Sequence, residues 1–186
     1  MQTTPGTSLT DDAASSPAPA RNRRIALWAA VAAVVYLADQ GTKWWAEHTL
    51  DDGRSRHVIG DLLQFRLTYN PGAAFSMGTG YTVVLTAIAL AVVVFTIRSA
   101  RRLGSTGWAV ALGLLLGGAL GNVTDRIFRD PAPFRGQVVD FIALPHYPIF
   151  NVADSAICVA AVLLVVQSLR GVHLDGRVES RGHSSS

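Results

Sequence analysis

The sequence predicts an all-α integral membrane protein in which four transmembrane helices carry a small β-sheet on one face of the bilayer. Three observations point there. The chain of 186 residues is 49% hydrophobic and only 16% charged, with a mean hydropathy of +0.30, which is too apolar for a soluble domain of this size. Apolar runs long enough to cross a bilayer recur along it. The arginines gather at the ends of those runs rather than on one soluble face, so topology, not nucleic acid, accounts for the net charge of +3 and the pI near 9.5.

Residues 1–23 read as a disordered tail, because residues 1–20 are mostly Thr, Ser, Ala and Pro with almost nothing to bury. The membrane domain is taken as residues 24–170. Arg21, Arg23 and Arg24 precede an apolar run, 25–38, whose flank and length would suit a signal peptide. No small-residue cleavage site closes it at Asp39-Gln40-Gly41-Thr42-Lys43, and Trp44 and Trp45 suit aromatic anchors at a membrane surface. The first span therefore continues to Ala46. Residues 47–80 turn polar and form the largest extramembrane piece. Within it, residues 63–69 alternate apolar and polar, and Asn70-Pro71-Gly72 supplies a turn, which predicts a strand and a small sheet lying on the membrane. Residues 73–77 are small and apolar, and Gly78 and Gly80 interrupt the chain before the next span.

Residues 81–97 form the second span, in which lipid overrides the β-propensity of Val and Ile because the backbone must satisfy its own hydrogen bonds. Arg98, Arg101 and Arg102 close it. The third span, 108–128, carries Gly113, Gly117 and Gly121 four apart on one face, the pattern that lets two helix backbones approach closely. This marks it as the central helix. Residues 129–148, rich in Pro and Gly, read as a loop containing a short apolar patch, 138–142, around Asp140. Residues 150–169 form the fourth span, and 171–186, with Arg177, Arg181 and a Ser-rich end, a second tail. No internal repeat is evident.

Basic residues concentrate before span one, between spans two and three and after span four, which places both termini in the cytoplasm. Arg54, Arg56, Arg126, Arg129 and Arg135 fall on the other side, most of them beside acidic neighbours. The ends of spans one and three and the start of span four then share the extracytoplasmic face, where Asp39, Lys43, Asn122, Asp125, Arg126, Asn151 and Asp154 can converge with Asn70 and Asp140. A charge near the bilayer centre costs roughly 2.5 to 3.5 kcal/mol, so such residues persist where they are paired or used. The stretch from Gly117 to Ala156 therefore reads as an active site.

The residue types narrow its chemistry. There is no HExxH, and His48, His57, His146, His173 and His183 are scattered through loops and tails, so no metal is expected. No GxSxG elbow frames Ser76 or Ser155. Cys158 stands alone in an apolar run and reads as a small core hydrophobe. Asn122-Val123-Thr124 matches a glycosylation acceptor by chance, in an apolar setting. Carboxylates remain, and two at close range can share one proton and act as base and acid. Asp39 with Lys43 reads as a structural pair. Asp140 lacks an adjacent cation and lies between Val139 and Phe141, which suits a carboxyl that keeps its proton, whereas Arg126 beside Asp125 would hold that carboxylate ionised. Asp154 also lies where a negative charge favours a helix start. The rival class is a non-enzymatic proton-coupled carrier, which the lack of repeats disfavours.

At these residues the chain resembles the lipoprotein signal peptidases, or signal peptidase II, bacterial membrane aspartic peptidases. The resemblance rests on the blocks Asp39-Gln-Gly-Thr-Lys43, Asn70-Pro-Gly-Ala-Ala-Phe75, Gly121-Asn-Val-Thr-Asp-Arg126, Val138-Val-Asp-Phe141 and Phe150-Asn-Val-Ala-Asp154, in that order. It implies four transmembrane helices with an extracytoplasmic β-cradle in the bacterial plasma membrane. It implies cleavage of prolipoproteins before a diacylglyceryl-modified cysteine, inhibition by globomycin, contact with membrane lipids, and no cofactor. Carried over by motif, Asp140 and Asp154 are the catalytic pair, Asn70, Gly72, Asn122, Asp125, Arg126 and Asn151 bind substrate or support the pocket, and Asp39 and Lys43 are structural. The departures are the long first tail, a short loop from Phe141 to Phe150, and Pro71 within its block.

Overall fold

The computed structural model describes residues 18–72 and 80–179. Within them the chain runs α1 (Ala18–Thr49), β1 (Arg56–Ile59), β2 (Leu63–Asn70), α2 (Gly80–Ala100), α3 (Thr106–Phe128), β3 (Val138–Ala143) and α4 (Val152–Leu169). All four helices are long and apolar enough to cross a membrane. Their outward faces carry large exposed apolar side chains such as Leu37, Ile88, Phe95 and Val162, the inverse of a soluble surface and the pattern that lipid solvates. The small apolar run and Gly78 expected at 73–79 lie outside the described residues.

Helix α3 is central, as its glycines predict. Of its apolar stretch 56% is buried by the rest of the protein, against 11%, 22% and 17% for α1, α2 and α4. A Cβ on Gly113 would lie 2.8 Å from the Trp28 carbonyl oxygen, one on Gly117 2.6 Å from that of Ala32, and one on Gly121 would overlap the Asp39 carboxylate. Those three positions seat α1 against α3. Gly118, one residue round the helix, does the same for α4, where a Cβ would lie 2.6 Å from the Ala153 carbonyl oxygen. The face of α4 turned inward is Ala153, Ala156 and Ala160. Cys158 falls on the other side of that helix and is exposed, so the expectation of a core cysteine is corrected.

With 32 residues, α1 is about 48 Å long at 1.5 Å per residue and exceeds the roughly 30 Å hydrocarbon layer. Its last turns meet the sheet. Ala46 and Leu50 form a buried cluster with Phe141, backed by Phe65, Leu67, Ile142 and Val152. Trp45 packs edge-on against Phe65 and Phe141 at 5.4 and 6.2 Å, so it braces the sheet, while the more exposed Trp44 keeps the anchor's place.

The sheet is antiparallel in the order β1-β2-β3. The alternating run expected at 63–69 is β2, extended by Asn70. The apolar patch around Asp140, expected within a loop, is instead the strand β3, paired to β2 with Thr68 opposite Asp140 and Asn70 opposite Val138. Phe150, expected as the first residue of the fourth span, is extended: its N–H donates to Ile142 O at 3.1 Å and its carbonyl accepts from Ile142 N at 2.8 Å. Pairing with β3 satisfies its backbone, and the helix begins only after Asn151.

The tail boundaries also shift. Residues 18–23 already belong to α1, since extending a formed helix adds one hydrogen bond for each residue fixed. Residues 171–179 fold back on the bundle: Trp108 Nε1 donates to Val172 O at 2.8 Å, Gly104 N donates to Leu174 O at 2.8 Å, and Val172 bridges Val178. Residues 1–17 and 180–186 lie outside the described residues.

Candidate active site

Two strands and one helix start hold the carboxylates of Asp140 and Asp154. Asp140 lies in β3, 1% exposed. Asn70, at the end of the neighbouring strand, donates through Nδ2 to Asp140 Oδ2 at 2.8 Å, and its Oδ1 accepts from Gly72 N at 2.8 Å. Gly72 has φ +105, a conformation that a side chain would strain, and a Cβ there would lie 2.7 Å from Leu85. Gly72 thus makes the turn that aims Asn70 at Asp140.

Asn151 is the N-cap of α4, and Asp154 is its N3 residue. Asp154 N donates to Asn151 Oδ1 at 2.9 Å and Asn151 N donates to Asp154 Oδ2 at 3.2 Å, a reciprocal capping box. The remaining Asn151 group, Nδ2, donates to Asp140 Oδ1 at 2.7 Å and to Val139 O at 3.2 Å. Asn151 therefore touches both carboxylates. Asn122 Nδ2 completes the set, donating to Asp154 Oδ1 at 2.8 Å. Among the described residues the hydrogen-bond donors to this pair are amides rather than cations. Burial pushes the Asp140 carboxyl up to about 6; the amide of Asn70 opposes this, the charge of Asp154 adds to it, and Asn151 and Lys43 pull it back.

Beside this pair lies a chain of ions. Lys43 Nζ is 2.7 Å from Asp39 Oδ2 and 2.7 Å from Asp125 Oδ2, with all three side chains fully buried. Arg129 Nε donates to Asp125 Oδ1 at 2.7 Å, and its other arm pairs with Glu47. Val139 N adds a weaker bond to Asp125 at 3.3 Å. Asp39 Oδ1 in turn accepts from Ala153 N at 2.9 Å, which ties the ion chain to the first turn of α4. The two networks meet at Asn122, whose Oδ1 accepts from Lys43 at 3.1 Å and from Asn151 at 3.3 Å. Both ends of that amide bond within the polar layer, so the glycosylation match has no structural meaning.

The expected convergence is thus present: Asp39, Lys43, Asn70, Gly72, Asn122, Asp125, Asp140, Asn151 and Asp154 form one connected set. Its wiring differs in one respect. The cations on Asp125 are Lys43 and Arg129, not its neighbour Arg126, because successive helical side chains point about 100° apart while i,i+4 pairs meet. Arg126 is buried at 8% exposure, lies within electrostatic reach of Asp140, Asp125 and Asp154, and its Nη1 finds no hydrogen-bond partner among the described residues. Sequence reasoning missed Glu47, Arg129 and Gln40; Gln40 donates to Asp39 at 3.1 Å and to Gly121 O at 3.3 Å. For Glu47 and Arg129 the signal was the spacing, each four residues beyond a member of the set. Among the described residues no group of three or more His, Cys, Asp or Glu is arranged to hold a metal ion.

Comparison with known proteins gives concordant results. The family pattern described as Signal peptidase (SPase) II matches residues 31–170. The lipoprotein signal peptidase of Streptomyces coelicolor is 51% identical over 156 residues, 84% of this chain and 76% of the relative. That of Streptomyces griseus subsp. griseus is 47% identical over 184 residues, covering 96% and 94%, and that of Mycobacterium tuberculosis 49% over 158 residues, covering 85% and 78%. Among solved structures, a bacterial membrane enzyme determined in meso at 1.9 Å superposes with a TM-score of 0.68 at 29% identity, covering 80% of this chain and 94% of that one. Another, at 2.3 Å, gives 0.70 at 28% identity over 84% and 96%. With its motifs, four-helix architecture and relatives in agreement, the chain belongs to the signal peptidase II family.

Proposed function

We propose that this protein is a membrane aspartic endopeptidase that removes the signal peptide from diacylglyceryl-modified prolipoproteins, with Asp140 and Asp154 as its catalytic dyad. The observation that carries the assignment is Asn151, whose side chain donates to Asp140 while its backbone N–H donates to Asp154. One residue thereby fixes both carboxylates without neutralising either. Asp140, buried and raised to about 6, is the member suited to hold the shared proton; the less buried Asp154 is suited to be the ion. Asp154 takes a proton from water as the water oxygen bonds to the amide carbon before the lipidated cysteine, and Asp140 gives its proton to the carbonyl oxygen. Collapse of the tetrahedral species breaks the C–N bond, with the proton on Asp154 passing to the leaving nitrogen and Asp140 regaining its own.

Asn70, Gly72, Asn122 and Asn151 position the dyad, Arg126 offers a buried cation with an open donor toward substrate, and Asp39, Lys43 and Asp125 hold α1, α3 and α4 together. Globomycin-type lipopeptides would occupy the same site, and no cofactor enters the reaction. The arginines before α1, between α2 and α3 and after α4 support cytoplasmic termini and an extracytoplasmic dyad in the bacterial plasma membrane; a reporter after Arg181 is expected to be cytoplasmic and one near Asp52 outside. The deciding assay compares purified protein on a diacylglyceryl-modified precursor and on the unmodified one. Cleavage of the first alone, abolished in folded Asp140→Asn and Asp154→Asn but partly kept in folded Asp125→Asn, is the expected result. Turnover in folded Asp140→Asn with none in folded Asp125→Asn would move the dyad to Asp125.

A further inference from the structure

At the end of the bundle away from the sheet, a groove of about 550 Å³ opens between the end of α2, the start of α3 and the segment after α4. Its wall is apolar: Phe95 of α2, Trp108 and Leu112 of α3, and Leu174. Its rim is cationic, with Arg98, Arg101 and Arg102. We propose that this groove binds one diacyl phospholipid with an anionic headgroup, its phosphate on the three arginines and an acyl chain along Phe95 and the outer face of α2.

The rim is complementary in charge to an anionic headgroup. Among the described residues no carboxylate pairs with Arg98, Arg101 or Arg102, which are exposed together over little more than one turn beside an apolar concavity. Guanidinium groups so placed offer planar forks suited to phosphate oxygens, and basic pockets between membrane helices are recognised sites for anionic headgroups. Topology alone would put arginines on this surface, but it would not build a concavity beneath them. Here the wall is preformed: Gly104 N bonds Leu174 O at 2.8 Å, a Cβ on Gly104 would run into the Asp175 backbone, and the Trp108 indole is fixed by its bond to Val172 O. A soluble phosphate would use only the rim. Phe95, 60% exposed on a helix long and apolar enough to span, extends the wall into the lipid phase and selects a ligand with a chain.

The test uses the full-length protein in mixed micelles and does not depend on its peptidase chemistry. Dioleoylphosphatidylglycerol is expected to raise the melting temperature and to be retained in native mass spectra, while dioleoylphosphatidylcholine and sn-glycerol 3-phosphate at equal concentration do neither. Changing Arg98, Arg101 and Arg102 together to Gln should weaken phosphatidylglycerol retention by about tenfold or more. Changing Arg21, Arg23 and Arg24 to Gln should leave it intact. Phe95→Ala, which keeps every charge, should lower retention of the diacyl lipid several-fold and serves if the triple variant fails to fold. Equal stabilisation by phosphatidylcholine or by glycerol phosphate, full retention in the folded Arg98/101/102 variant or in Phe95→Ala, or equal loss in the Arg21/23/24 variant would each overturn the site.

Discussion

Asp125 and Asp140 are carboxylates of neighbouring elements, each about 1% exposed, yet they are held in opposite ways. Asp125 takes Lys43 on one oxygen and Arg129 on the other; Asp140 takes the amides of Asn70 and Asn151. A buried carboxylate between two cations belongs to a charge-paired set, and removing any one member leaves the others uncompensated. Amide donors satisfy the same oxygens without fixing the charge, so burial is left to raise the proton affinity. The contrast in partners matches the proposed division between a structural Asp and a chemical one within a single polar layer.

The comparison breaks most sharply in activity. Asp140→Asn and Asp154→Asn keep volume and much of the hydrogen bonding, so cleavage of a lipid-modified precursor is expected to fall by about 10³-fold or more with folded yield nearly unchanged. The next largest effect is on the other side. Lys43→Met leaves Asp39 without its cation and Asp125 with Arg129 alone, and a loss of about 3–5 kcal/mol is expected, read as a collapse in folded yield or melting temperature. Asn151→Ala removes the cap of α4 and the side-chain donor to Asp140 but keeps the backbone bond to Asp154; stability should drop by about 1 kcal/mol, while activity drops far more than that loss explains.

Two smaller effects sharpen the contrast through pH. The folded protein holds the Asp140 proton more tightly than the unfolded chain, whose value is 3.8, so this group favours folding at low pH and costs stability as pH rises through about 6. Asp140→Asn cannot ionise, and its melting temperature should gain on the parent's between about pH 4 and pH 6. Asn70→Ala removes a donor that favours the ionised form. The alkaline limb of kcat/KM should then move upward by less than about one pH unit; a downward move would count against Asp140 as the acid.

Much of this arrangement was legible in residue spacing. Asp39 and Lys43 lie one turn apart and do pair; Asn151 and Asp154, three apart, form a capping box; Gly113, Gly117 and Gly121 mark the seat of α1. These are local periodicities, which helices turn directly into contacts. What was hidden depends on chain segments far apart in sequence. Nothing in Val138-Val139-Asp140-Phe141-Ile142 says that Gln64 to Asn70 will pair with it, nor that Phe150 will return to bridge Ile142 and delay α4. The same holds for Asp125, whose adjacent Arg126 suggested a partner while its actual ones come from α1 and from four residues onward. The segment 171–179 reads as a polar tail because its contacts with Gly104 and Trp108 are made by its own backbone carbonyls, which composition does not encode.

The chemistry proposed for Asp140 requires it to hold its proton up to about pH 6. Infrared spectroscopy of the protonated-carboxyl stretch, followed across pH in the folded protein without substrate, measures this directly. A buried carboxyl band that titrates near pH 6, is lost in Asp140→Asn and remains in Asp125→Asn is the expected result; a band that survives in Asp140→Asn and vanishes in Asp125→Asn would contradict it.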